Sequence, residues 1–177
     1  LNQGWFDNTN PQYIYKDAFK NIIVDGDFEH GTTSWDTNGC TFSTPALPGE
    51  IAGQYQTKIL SNHCGKVIEE NGGSYYSQLY NPSQISEVTI GDHYVYATAF
   101  GKEFGSTTAA RMKIEVPAGT DSAWVNFTDT LSRKSVITLC TSNPSGPDCY
   151  ITLDVGGLEI APYYNTAIFD GALLIDL

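Results

Sequence analysis

The sequence predicts an all-β fold, a two-sheet antiparallel β-sandwich of the jelly-roll type. Short stretches rich in Val, Ile, Thr and Tyr recur along the chain, and this is the composition of β-strands. Gly, Pro, Asn and Ser separate these stretches at intervals of roughly eight to twelve residues, a spacing typical of sandwiches and barrels. A helical period is rare, and the one helix we consider covers about Gln12–Asn21.

The clearest of the predicted strands is His93–Phe100. Its alternation separates phenol rings from small apolar side chains, with Tyr94 and Tyr96 on one face and Val95 and Ala97 on the other. The full set of predicted strands is Asn21–Asp25, Tyr55–Leu60, Ser74–Tyr80, His93–Phe100, Ala109–Val116, Ala123–Thr128, Ser135–Cys140 and Tyr150–Val155.

Length and charge exclude several classes of protein. A chain of 177 residues is long enough for one sizeable core and short for two domains. A net charge of -11 with nine basic residues excludes a nucleic-acid partner, since phosphates would be repelled. No apolar run reaches the roughly 18 residues of a membrane helix, so no membrane span is predicted. The chain opens at Leu1 without a basic and apolar leader, which fits either a processed secreted protein or one shortened in the laboratory.

The cysteines predict an oxidising compartment. Pairing nearest neighbours gives two disulfide bonds, Cys40 with Cys64 and Cys140 with Cys149, although four cysteines allow three connectivities. Neither spacing is that of a zinc site. Asn126 begins an N-x-[ST] sequence and is a candidate glycosylation site. We therefore predict a secreted protein, extracellular or at the cell surface.

Several segments resemble, in order, a known family. Asn21–Gly31, followed by Trp35, resembles the N-x-x-x-N-G-x-F-E-x-G opening of carbohydrate-binding modules of families 4, 9 and 22, which are galactose-binding-like β-jelly rolls. Gly91–Ala97 is similar to the family's turn and following strand, and Tyr150–Glu159 is similar to its final strand. The resemblance covers about Asn21–Ile160 and implies a jelly-roll domain over those residues, flanked by extensions at 1–20 and 161–177. Residues 161–177 either extend beyond the domain or add a strand to it.

Part of the opening motif has a purely structural interpretation. Gly26 permits an unusual backbone angle, Phe28 points into the core and Gly31 opens the next turn. Trp35 and Trp124 are predicted to be core residues rather than a binding platform.

The resemblance also implies a structural calcium ion. Its ligands would be the side chains of Glu29 and Asp154 and the carbonyl of Asp27, because calcium prefers oxygen ligands. Asp25 and Asp27 replace the family's usual Asn and small residue, and Val155 replaces its second aspartate. The alternative interpretation is that these acids face solvent.

The function that the resemblance implies is recognition of a polysaccharide or glycan through an aromatic sheet face. Tyr94 and Tyr96 are the first candidates, since they share one face of a strand. The candidates on the preceding strand are Tyr75, Tyr76, Gln78 and Tyr80. The alternative is that these tyrosines are ordinary strand residues with hydroxyls reaching water.

The sequence predicts no enzyme. It has no G-x-S-x-G elbow, and no spacing recommends a pair of catalytic carboxylates. An alternative function comes from the apolar and aromatic residues of segments 1–20 and 161–177, which must pack on the chain itself or on a neighbouring subunit. The chain would then be a structural subunit of an extracellular filament or surface coat, assembled by strand or tail exchange between subunits.

Overall fold

The computed structural model describes residues 21–46, 62–69, 77–80, 93–104, 110–141, 143, 149–155 and 166–177. The predicted strand Tyr55–Leu60 and most of the predicted helix Gln12–Asn21 lie outside these residues. The described part of the chain is all-β, and it includes no helix long and apolar enough to cross a membrane. The predicted fold class is confirmed.

Ten strands in the described residues form two antiparallel sheets. Sheet I has the order β1-β4-β9-β6-β7, and sheet II has the order β2-β3-β10-β5-β8. The strands are β1 (Asp36–Asn38), β2 (Cys40–Ser43), β3 (Gly65–Glu69), β4 (Ser77–Tyr80), β5 (His93–Phe104), β6 (Ala110–Glu115), β7 (Val125–Asn126), β8 (Ser132–Cys140), β9 (Tyr150–Val155) and β10 (Thr166–Asp176).

Alternating side chains from both sheets fill the space between them. In β9, Ile151, Leu153 and Val155 are buried in the main core, and in β5 Val95 and Ala97 join them. Because successive residues of a strand face opposite sides, the residues between them point away from the core. The predicted division of β5 into a small apolar face and a tyrosine face is confirmed.

The opening motif forms a turn rather than the predicted strand Asn21–Asp25. Asn21 makes an isolated bridge to Ile175, and the chain then turns. Gly26 is required for space, not for its backbone angle, because a Cβ there would lie 2.0 Å from the carbonyl oxygen of Ala172. The positive φ angles of the motif belong instead to Asp25 and Phe28, both at 56°, and to Gly31, at 90°.

The core roles predicted for Phe28 and Trp35 are confirmed. Phe28 is fully buried, and its ring stacks on Trp35 with centroids 5.1 Å apart. A left-handed backbone at a phenylalanine costs on the order of 1–2 kcal/mol, and burial of a complete aromatic side chain offsets a cost of that size.

Within the predicted extension 161–177, the described residues Thr166–Asp176 form β10, the middle strand of sheet II. β10 pairs with β3 on one side and with β5 on the other. A bulge between Asp170 and Leu173 interrupts its pairing with β5, and Gly171 has a φ of 55° there. The added-strand alternative is therefore the one observed, and the strand lies at the centre of the sheet rather than at its edge.

The predicted disulfide bonds are not formed in the structure. Cys40 lies opposite Glu69, at the far end of β3 from Cys64. Those ends are about 13 Å apart at the rise of a strand, and a disulfide needs Cα atoms within about 7 Å. All four cysteines are buried, and burial raises the pKa of the Cys64 thiol to about 11. Secretion stays a prediction.

Candidate functional site

Sheet I carries a polar outer face built from β6 and β9. Ala110, Met112 and Ile114 of β6 face the core, so the intervening residues face outward. The register pairs each of them with an outward residue of β9, and these pairs are Arg111 with Asp154, Lys113 with Thr152, and Glu115 with Tyr150.

Hydrogen bonds tie these outward side chains together. Arg111 Nε donates to Asp154 Oδ2 at 2.8 Å. Glu115 accepts from the Tyr150 hydroxyl at 2.6 Å and from the Thr152 hydroxyl at 3.0 Å. Each carboxylate of the two strands therefore has a defined orientation.

Aromatic rings lie beside this network. The guanidinium carbon of Arg111 lies 3.9 Å from the ring centroid of Trp124, and Lys113 Nζ lies 4.8 Å from it. Tyr80 and Tyr150 have ring centroids 5.8 Å apart. We call this group the ion-paired face; its residues are Tyr80, Arg111, Lys113, Glu115, Trp124, Tyr150, Thr152 and Asp154. Thr152 and Asp154 are fully buried in it, and the Arg111 and Lys113 side chains are each 13% exposed. The prediction that Trp124 is a core residue is wrong, because its ring packs on outward-facing cations.

The ionisation of the face follows from burial and pairing. Burial lowers the pKa of Lys113, but Asp121 at 2.6 Å and Glu115 at 3.2 Å outweigh it and raise this pKa, so the amine stays charged. Burial and the hydrogen bond to Glu115 raise the pKa of Tyr150, so its hydroxyl stays protonated. Lys113 therefore presents fixed charge, and Tyr150 a fixed donor, at neutral pH.

Asp154 gives a pH-dependent contribution to stability. Burial raises its pKa from 3.8 to about 6, although Arg111 opposes the shift. The folded protein binds this proton more tightly than the unfolded chain, so the contribution is complete below pH 3.8 and is lost as the pH rises through about 6. Relative to Asp154→Asn, we expect the free energy of unfolding to fall across that window by roughly 3 kcal/mol at most. Urea unfolding at several pH values measures it; parallel pH profiles would contradict the raised pKa.

The predicted tyrosine surface is not one surface. Tyr94 and Tyr96 do point outward, and Tyr94 is 57% exposed, but they lie on β5 in sheet II. Gln78 and Tyr80 lie on β4 in sheet I. The assumption that the preceding strand lies beside β5 is therefore wrong, because β4 belongs to sheet I and β5 to sheet II. Tyr75 and Tyr76 lie outside the described residues.

The neighbours of the β5 tyrosines are apolar. Tyr94 lies opposite Leu139, and Tyr96 lies opposite Ile137. Leu139 is 42% exposed and Ile137 is 55% exposed. Among the described residues, the cross-strand partners of these two tyrosines on β8 are therefore apolar, not the carboxylates and cations that lie beside the rings on sheet I.

The predicted calcium ligands have separate partners. Asp154 is fully buried against Arg111, whose guanidinium supplies the positive charge that a cation would supply. Glu29 accepts hydrogen bonds from the backbone of Asn62 and His63 and pairs with His63 Nδ1 at 2.8 Å. The hydrogen bond to the His63 side chain, helped by those from the backbone of Asn62 and His63, lowers the pKa of Glu29. Asp154 Oδ1 is buried without a hydrogen-bond partner among the described residues, and calcium at Glu29, Asp154 and the Asp27 carbonyl stays a prediction.

Asn126 is exposed, as a glycosylation acceptor must be. It lies opposite Arg111 at the edge of sheet I. Glycosylation stays a prediction, and a glycan there would lie beside the ion-paired face.

Solved structures share this fold. The carbohydrate-binding module TmCBM61, solved with β-1,4-galactotriose, is 14% identical over 89% of this chain and 99% of its own, with a TM-score of 0.59. A CBM4 module is 12% identical over 85% and 99% of the two chains, with a TM-score of 0.56. A cyclase from Fischerella sp. TAU is 10% identical over 90% and 98%, with a TM-score of 0.59.

No protein-family model matches the sequence, and no curated protein matches it. The structural comparisons therefore show the fold, the jelly roll of carbohydrate-binding modules. They also show that binding modules and enzymes share it, so the function has to be argued from the side chains.

Proposed function

We propose that the protein is a non-catalytic carbohydrate-binding protein that holds a polysaccharide or glycan on the ion-paired face. The observation that supports this most is the position of Trp124 beside Arg111 and Lys113. Sugars offer apolar C–H faces to aromatic rings and hydroxyls to charged groups, and this face has both.

The charged groups are held in position before a ligand arrives. Lys113 Nζ lies between Glu115 and Asp121, and burial and hydrogen bonding fix the orientation of Glu115. Ordering a long side chain on binding costs about 0.5–1.5 kcal/mol. A face whose side chains are already ordered avoids that cost, which favours binding of a weakly hydrophobic ligand such as a sugar.

The carboxylates of the face favour binding over hydrolysis. A glycosidase needs one carboxyl that donates a proton to the substrate and a second carboxylate that faces it. Asp154 has a pKa suited to an acid, but it is fully buried and paired with Arg111. Glu115 is occupied by Tyr150 and Thr152. Among the structural neighbours, a module solved with a galactotriose supports a glycan as the ligand class.

The experiment is retention of the purified protein on insoluble polysaccharides, followed by calorimetric titration with soluble oligosaccharides and an assay for new reducing ends. We expect binding to at least one β-linked polysaccharide and no new reducing ends. No binding across a broad panel, or release of reducing ends, would contradict the proposal.

A second candidate function is that of a structural subunit of an extracellular filament or surface coat, and one observation favours it. The outer face of sheet II exposes an apolar strip, with Leu177 57% exposed beside Tyr94 and Leu139. Asn21 bridges to Ile175, which is paired with Tyr96, so segment 1–20 is attached to the chain beside this strip. Exchange of that segment between two copies is therefore the contact that we propose for the strip. Assembly requires a species larger than the monomer in sedimentation that is lost on deleting residues 1–19. A monomer that binds sugar supports the first candidate alone.

A further inference from the structure

A second group of polar side chains lies in the opening turn, away from the ion-paired face. The ligand atoms of Asp25, Asp27 and His30 all lie within 4.8 Å of one another. They line a cavity of about 370 Å³ whose other wall is Gly171–Leu173 at the bulge of β10. The cavity has room for an ion with its water ligands.

Asp25 distinguishes this group from an ordinary cluster of surface acids. Its side chain is only 2% exposed. One carboxylate oxygen, Oδ1, accepts from the His30 backbone at 3.0 Å and contacts His30 Nδ1 at 3.1 Å. The other oxygen, Oδ2, is buried and has no hydrogen-bond partner in the part of the chain that the structure describes. A buried carboxylate oxygen without a donor or a cation is costly.

We infer that Asp25, Asp27 and His30 form a binding site for a divalent transition-metal ion, with zinc as the ion of choice. Zinc takes carboxylate oxygen and imidazole nitrogen ligands, commonly three from the protein and one from water. Imidazole favours zinc over calcium, which prefers an all-oxygen shell. The site is distinct from the predicted calcium set, which uses Asp27 through its carbonyl and lacks the other two residues.

The geometry requires only small movements. Ligand atoms around a tetrahedral zinc are about 3.4 Å apart when each bond is about 2.1 Å. The largest separation of 4.8 Å must therefore shrink by roughly 1.4 Å. His30 is 80% exposed and Asp27 is exposed, so both can rotate toward the buried Asp25.

The chain offers a matched control in a second carboxylate–imidazole pair. Glu29 and His63 lie 2.8 Å apart, but both oxygens of Glu29 already have partners in Asn62 and His63. Glu29 therefore has no unpartnered carboxylate oxygen whose burial a cation would make less costly. His63→Gln should accordingly leave zinc binding unchanged.

The test is isothermal titration of the full chain with zinc chloride after treatment with a chelator that is then removed. We expect one zinc ion per chain, weaker binding of calcium, and an affinity loss of at least about tenfold in both Asp25→Asn and His30→Gln. Asn keeps the size and the hydrogen bond of Asp25 but cannot carry its charge. If Asp25→Asn fails to fold, His30→Gln alters an exposed side chain and still decides the matter. Zinc binding weaker than millimolar, or binding that survives His30→Gln, would overturn the inference.

Discussion

Replacing Trp124 by Ala is expected to weaken glycan binding by roughly thirtyfold, the loss of about 2 kcal/mol typical of a central aromatic contact. The ring lies against Arg111 and Lys113 rather than in the main core. Its removal takes away contact area for a sugar and leaves the cations without the ring that orders them. Calorimetric titration of wild type and variant with the oligosaccharide found by the polysaccharide panel measures the loss.

The matched control is Tyr94→Ala, because Tyr94 is an exposed aromatic residue on the opposite sheet. It should bind the same oligosaccharide as tightly as the wild type. The reverse result, in which Tyr94→Ala loses binding and Trp124→Ala keeps it, would place the glycan on sheet II as the sequence predicts. Unfolding curves of both variants should remain close to that of the wild type.

Replacing Phe169 by Ala is expected to lower the free energy of unfolding by about 3–5 kcal/mol, the usual cost of removing a buried phenylalanine. Phe169 is fully buried in β10, and its ring contacts Phe127 edge-on with centroids 5.6 Å apart. The residue therefore joins the middle of sheet II to the chain segment that follows β7. Urea unfolding measured by tryptophan fluorescence gives the change.

Leu177→Ala provides the comparison from the same end of the chain. Leu177 is 57% exposed, so its truncation should change the free energy of unfolding by less than about 0.5 kcal/mol. Equal small effects at both positions would mean that β10 is an addition to the sandwich rather than its central strand.

The sequence predicted best the strands whose two faces differ most. β9 has the predicted bounds Tyr150–Val155, and β5 includes all of His93–Phe100. The early strands β1, β2 and β3 were missed because they are short and their residues do not alternate clearly. β10 was placed outside the domain because the family resemblance ended before it, not because its composition opposed a strand.

The candidate site could not be predicted from composition because it depends on register. Arg111, Lys113 and Glu115 read as an ordinary solvated strand face in the sequence. Only pairing with β9 sets Arg111 beside Asp154, and only the fold brings Trp124 over both cations. The alternation of apolar and polar residues in β6 was the one available signal. It identified a polar face of this strand but not the β9 residues or the Trp124 ring that contact it.

The central place of β10 sets the order in which the chain folds. Sheet II joins β3 to β5 only through a strand that follows all the other described strands, and Asn21 accepts a hydrogen bond from Leu174, 153 residues away. Contacts between residues so distant in sequence form only after the chain has lost the entropy of closing a long loop. Refolding should therefore be slow, on the millisecond-to-second scale of high-contact-order β-sandwiches. During synthesis, the strand pairs β2-β3 and β5-β8 therefore cannot join into one sheet until β10 has left the ribosome.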